Sequence, residues 1–207
     1  MKSFITALTA TAALAGAQML LPAVPARAAP AHDPVHRYVV ESTTPPPGEA
    51  KVKANNASVG VHWLKSYSSA DRSTTYSLYE APNEEAIRKA AALNKLQLTQ
   101  INEAPVDLDS ESDARAGKLP EGMHRYMIER TFPAGALAGL DSATKAKVNS
   151  TNSKFRAQWV TSYANSDKTK TYCIYNAANE AAVRAAAKAN SLPVDKITEV
   201  PVTATAR

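Results

Sequence analysis

Apolar and polar residues alternate over short stretches of this chain, and the same alternation occurs twice. Residues 38–41 and 126–129 are β-prone runs, each closed by a proline a few positions on. Residues 63–67 and 159–163 alternate aromatic and polar side chains, and a turn-rich link leads from each into 75–79 and 171–175, so both pairs predict hairpins. Asn83 and Asn179 then stand as helix N-caps, each with glutamate in the following turn where negative charge suits the helix dipole. Ile87, Ala90, Ala91 and Asn94 share one helical face, and Val183, Ala186, Ala187 and Asn190 repeat it. A last strand over 100–106 and 196–202 closes each unit.

The repetition is also one of identity. His36-Arg37-Tyr38-Val39-Val40-Glu41-Ser42-Thr43-Thr44-Pro45 returns as His124-Arg125-Tyr126-Met127-Ile128-Glu129-Arg130-Thr131-Phe132-Pro133, with 6 of 10 positions identical. Residues 61–106 align without a gap to 157–202, with 20 of 46 identical. The offset is 88 before the first helix and 96 after it, so the first copy lacks eight residues there, about two helical turns. Pro45-Pro46-Pro47-Gly48 marks the shortening. Each copy reads strand, helix, strand, strand, helix, strand, the ferredoxin-like βαββαβ pattern of the α+β class. Strand side chains alternate between faces, so Tyr76 and Leu78 lie opposite Ser77 and Tyr79, while Tyr172 and Ile174 lie opposite Cys173 and Tyr175. Large apolar groups on both faces require a cover for the helix-free face. The other copy supplies it, which predicts an intramolecular pseudo-dimer with sheet packed on sheet, or a barrel. The expected division is repeat 1 over 36–108, a polar linker over 109–123 and repeat 2 over 124–203.

Residues 1–28 read as a signal peptide: Lys2, an apolar stretch to about Leu21, Pro22 and Pro25, and the small-x-small ending Ala26-Arg27-Ala28. Export to the periplasm or the exterior is the expectation, and no later apolar run is long enough to span a bilayer. Loss of Lys2 and Arg27 lowers the formal charge from +5 to +3. The remaining cations are scattered, unlike a nucleic-acid groove with clustered cations and interleaved aromatics. Cys173 is the single cysteine, so no intramolecular disulfide can form. Its place in an aromatic strand predicts a packed small side chain.

Residues 126–133, Trp159-Val160-Thr161-Ser162-Tyr163, Lys170-Thr171-Tyr172-Cys173-Ile174-Tyr175, and the stretch from Asn179-Glu180 through Leu192-Pro193 to Ile197-Thr198-Glu199-Val200 resemble a family of small ferredoxin-like domains that was long catalogued as of unknown function and includes a nickel-binding member. The second copy matches along nearly its whole length and the first less closely. The resemblance implies the fold, a tendency to dimerise, and binding of nickel or another divalent metal. Family sequences commonly carry histidine before the Ser-Tyr pair and in the second helix; those positions are Lys65 and Thr161, then Ala90 and Ala186.

Of the four histidines, His32 lies in a proline-flanked tail, and His36 and His124 take equivalent strand-start positions. The candidate metal ligands are His36, His124, Glu41 and Glu129, although His36 and Glu41 point to opposite faces of a regular strand. No pair of histidines one helical turn apart occurs, nor a glycine-rich phosphate loop or a nucleophile elbow. Asp71 and Asp167 suit turns, and Arg88 and Arg184 suit ion pairs with helix-start acids. No catalytic residue emerges. The leading expectation is an exported, non-enzymatic tandem module, monomeric with an internal pseudo-dimer, that binds a small ligand, a metal or a protein partner. One alternative is an enzyme of the dimeric α+β-barrel kind, with a pocket between sheets for oxidation or isomerisation of an aromatic or apolar compound. The other, from the resemblance, is a nickel-binding protein.

Overall fold

A computed structural model describes residues 34–44, 48–109 and 119–206. The segment read as a signal peptide, His32, the prolines 45–47 and most of the linker lie outside the described residues. The first copy comprises β1 (His36–Ser42), α1 (Glu49–Ala57), β2 (His62–Ser68), β3 (Thr75–Ala81), α2 (Glu84–Leu93) and β4 (Leu98–Glu103), followed by β5 (Val106–Asp109). The second comprises β6 (His124–Thr131), α3 (Ser142–Lys154), β7 (Ala157–Ala164), β8 (Lys170–Ala177), α4 (Glu180–Ala189) and β9 (Lys196–Glu199), followed by β10 (Val202–Thr205). This is the expected βαββαβ order, made twice.

Local chemistry explains the elements. Asn83 and Asn179 accept hydrogen bonds from the amides of Ala86 and Ala182, which fixes the starts of α2 and α4. Arg88 and Arg184 pair with Glu84 and Glu180 one turn back. Asp71 accepts from Ser69 Oγ, Ser73 N and Ser73 Oγ, and these bonds hold its carboxyl down at about 2. Asn94 Nδ2 reaches Asn56 Oδ1 at 2.8 Å and Asn190 Nδ2 reaches Asn152 Oδ1 at 2.9 Å, so a buried amide joins the two helices of each copy in the same way.

All strand pairings are antiparallel, in two five-stranded sheets ordered β10-β2-β3-β1-β4 and β5-β7-β8-β6-β9. The fifth strand of each sheet comes from the other copy. The last strand of each copy, expected as one run, breaks instead at Ala104-Pro105 and Val200-Pro201. It then continues as β5 on β7 and as β10 on β2. Proline has no N–H to leave unpaired and suits such a corner. The preceding residues anchor each bend: Ala104 N donates to Arg37 O at 2.8 Å and Val200 N to Arg125 O at 2.7 Å, with Ala104 and Val200 buried.

The inner faces then meet as the alternation requires. Val39, Tyr67, Tyr76, Leu78 and Ala104 pack with Met127, Val160, Tyr163, Tyr172, Ile174 and Val200 in one core cluster drawn from both copies. Tyr38, Val40 and Tyr79 instead pack beneath α2, and Tyr126, Ile128, Cys173 and Tyr175 lie on the helix side of the second copy. The molecule is therefore two ferredoxin-like repeats forming an intramolecular pseudo-dimer with barrel-like strand exchange. Cys173 is buried and free, as expected. Among the described residues no helix is long and apolar enough to cross a membrane.

Candidate functional site: a cleft on the helix side of the first copy

The space between the sheets, expected to hold any substrate pocket, is occupied by tyrosine. The Tyr76 and Tyr172 ring centroids lie 6.5 Å apart. Tyr76 Oη donates to Glu129 Oε1 at 3.0 Å and also meets Thr198 Oγ1 at 3.1 Å, while Tyr172 Oη donates to Gln100 Oε1 at 3.2 Å. Burial pushes the Tyr76 phenol up to about 12, so it serves as a neutral donor at ordinary pH.

Glu41 and Glu129, read as candidate ligands, face this interface and are buried. Lys196 Nζ binds Glu41 Oε1 and lies 3.5 Å from Glu129 Oε1; Lys170 Nζ lies 3.2 Å from Glu129 Oε2. Burial alone would lower the Lys196 ammonium, but hydrogen bonds to Glu41 and Tyr76 outweigh it and hold its pKa above the ordinary lysine value. His36 and His124 are placed elsewhere, at the exposed starts of β1 and β6. Their Nδ1 atoms lie 2.8 Å from Glu103 Oε1 and 2.7 Å from Glu199 Oε1. The glutamate side chains that the structure brings to the histidines are thus Glu103 and Glu199, while Glu41 and Glu129 are engaged by lysine. Among the described residues no group of three or more His, Cys, Asp or Glu side chains converges as a metal site.

The open space lies on the other side of the sheet, beneath the helices. A break in register between Trp63 and Lys65 puts Trp63 and Ser66 on the same helix-side face, where Trp63 Nε1 donates to Ser66 Oγ at 2.8 Å. Ser66 Oγ in turn lies 2.8 Å from Ser77 Oγ. The second copy builds the same bulge between Trp159 and Thr161, and Trp159 Nε1 donates to Ser162 Oγ at 2.9 Å. Equivalent positions therefore line two cavities of unequal size. In the first copy Trp63, Ser66, Thr75, Ser77 and Tyr79, with Glu49 and Val52 of α1, Arg72 and Val202 of the exchanged strand β10, bound about 380 Å³. In the second copy Arg130, Phe132, Leu137, Leu140 and Val148 crowd the corresponding space, leaving about 50 Å³. The first copy has a shorter connection into its first helix and a helix of 9 residues against 13, and the longer connection of the second copy carries Leu137 and Leu140.

Sequence reasoning placed the pocket between the sheets and missed this cleft. The available signals were the shortened connection and the repeated Trp-x-x-Ser spacing, which in an unbroken strand would put the two side chains on opposite faces. Tyr79, at the cleft wall, is raised by burial against weaker opposing hydrogen bonds from Ser77 and Asn56. It too is a neutral donor.

The family model for nickel responsive protein SCO4226-like matches residues 47–103 and 126–200, and the chain belongs to that family. No curated protein matches. Solved structures with matching chains include a provisionally assigned monooxygenase from Lactobacillus acidophilus NCFM, at 12% identity over 83% of this chain and 96% of that one, with a TM-score of 0.40. A variant chlorite dismutase from Candidatus Nitrospira defluvii matches at 9% identity over 79% and 91%, with a TM-score of 0.39. The sequence predicted a non-enzymatic module; the solved chains that match carry enzyme names instead. At such low identity the chemistry has to come from this chain's own cleft.

Proposed function

We propose that this chain is an enzyme of the dimeric α+β-barrel kind that acts on an apolar or aromatic small molecule seated in the cleft of the first copy. The supporting observation is the asymmetry between equivalent sites. One is narrowed to about 50 Å³, and the other keeps about 380 Å³, within the size range of small-molecule sites. The Trp63 indole and the Tyr79 ring offer apolar faces to an aromatic substrate. The linked Ser66 and Ser77 hydroxyls, with the Tyr79 phenol, can hold a substrate oxygen. Glu49, at the start of α1, is the carboxylate among the described lining residues and takes the role of proton acceptor. This set suits isomerisation, in which a proton leaves one atom of the substrate and returns to another, with no oxidant or second substrate. We assign this activity to the periplasm or the exterior on the expectation that residues 1–28 are a cleaved export signal.

Nickel, which the family name carries, is poorly matched by the residues present. Each strand-start histidine has one carboxylate beside it, and the interface glutamates are held by Lys196. Imidazole-rich coordination of the kind nickel favours is not available from these pairs.

Titrating the protein with a panel of substituted phenols and aromatic ketones should quench tryptophan emission through Trp63. The response should vanish in Trp63→Phe while Trp159 still emits. NMR of the mixtures should show an isomer accumulating for at least one compound that binds. Glu49→Gln should slow that conversion by roughly 100-fold or more, as for loss of a general base, with binding little changed. Quenching that persists in Trp63→Phe would contradict the site, and binding without conversion across the panel would contradict the enzyme.

A further inference from the structure

We propose that the small cavity of the second copy is a binding site for a short-chain carboxylate, held by Arg130. Arg130 is 2% exposed, the largest side chain among the fully buried ones. Its Nη1 donates to the carbonyl of Pro193, and its guanidinium carbon sits 5.7 Å from the centroid of the Tyr175 ring. Its Nε is buried and has no hydrogen-bond partner. Among the described residues no carboxylate forms an ion pair with it. The neighbouring Glu129 points to the opposite face of β6, toward Lys170 and Lys196, and Asp195 is engaged by Thr131 and Lys170. A guanidinium withdrawn from water without a counterion is strongly disfavoured, and an anion bound beside it offsets that cost.

The cavity supplies the rest of the selectivity. Arg130 lines it together with Phe132, Leu137, Leu140 and Val148, so a cation meets apolar walls within about 50 Å³. A water molecule needs ~10–15 Å³ by this measure, so the space suits a ligand of roughly four or five heavy atoms. A carboxylate with a short alkyl tail meets both demands: its two oxygens face the guanidinium fork, and its methyl end faces the leucines. The first copy has Ser42 at the position of Arg130, so the site belongs to the second copy alone. It is separate from the cleft proposed for catalysis and does not depend on that reading.

Thermal unfolding of the whole chain with sodium propionate, 1-propanol and sodium chloride, at matched ionic strength, tests the site. Propionate should raise the midpoint saturably, with half-saturation at a concentration at least about tenfold lower than any effect of 1-propanol, because only the carboxylate makes charge-assisted bonds. Chloride should not reproduce the shift. Arg130→Met should abolish the propionate response. Val148→Phe, which fills the cavity while leaving Arg130 in place, should abolish it as well and decides the matter if Arg130→Met does not fold. An equal response to 1-propanol, a chloride effect as large as that of propionate, or an undiminished response in Val148→Phe would each overturn the proposal.

Discussion

Residues 124–207 produced without the first copy should self-associate or be largely unfolded under conditions where the whole chain is folded. Met127, Val160, Tyr163, Tyr172 and Ile174 are all buried in the shared core. Their inter-sheet covering is lost when the first copy is removed. At about 1.5–3 kcal/mol for each large apolar side chain, the exposure costs on the order of 10 kcal/mol, comparable with the total stability of a domain. The fragment also loses β5 from the edge of β7, and its own β10 is left without β2. Unpaired strand edges beside an apolar face favour association between copies. Size-exclusion chromatography with light scattering, combined with urea denaturation, checks this. A stable, strictly monomeric fragment would count against the shared core.

Lys196→Met should destabilise the whole chain by about 3 kcal/mol, the lower end for breaking a buried ion pair from one side. The lower end applies because Lys170 still reaches Glu129, and because Lys196 is partly exposed and so partly screened by solvent. Glu41, buried on the opposite sheet, would lose its ammonium partner. The same site gives a pH dependence. The folded-state pKa of Lys196 lies above the ordinary 10.5, so its contribution is complete below that value and is lost as pH rises through the raised one. The variant should lack that share of the alkaline loss. Denaturation midpoints of both proteins at neutral and alkaline pH give the comparison; equal stability at neutral pH would show that Lys196 does not hold the two glutamates.

The sheet faces were legible because alternation is a local property. Tyr76 and Leu78 had to lie opposite Ser77 and Tyr79, and two apolar faces had to be covered twice, by helices and by the other sheet. Caps were legible for the same reason: Asn83 and Asn179 need only the next turn. The strand exchange was not. Residues 100–106 and 196–202 read as single strands, because Pro105 and Pro201 do not by themselves show that the chain turns and resumes pairing on another sheet. Glu41 and Glu129 were legible as candidate ligands, yet their partner Lys196 lies 155 positions from Glu41, a distance over which no spacing rule operates. The helix-side cleft depends on a bulge at Trp63 and on eight absent residues. Both leave traces in the sequence, but only the folded chain turns them into volume.

The central claim, that two copies make one cooperative unit, is tested most directly by pulse-labelled hydrogen exchange across a urea series, with the central strands β3 and β8 followed as separate peptides by mass spectrometry. The shared tyrosine core and the exchanged strands predict that 75–81 and 170–177 lose protection together, with one midpoint and one all-or-none transition. Separate midpoints, with one strand still protected while the other is fully exchanged, would contradict it.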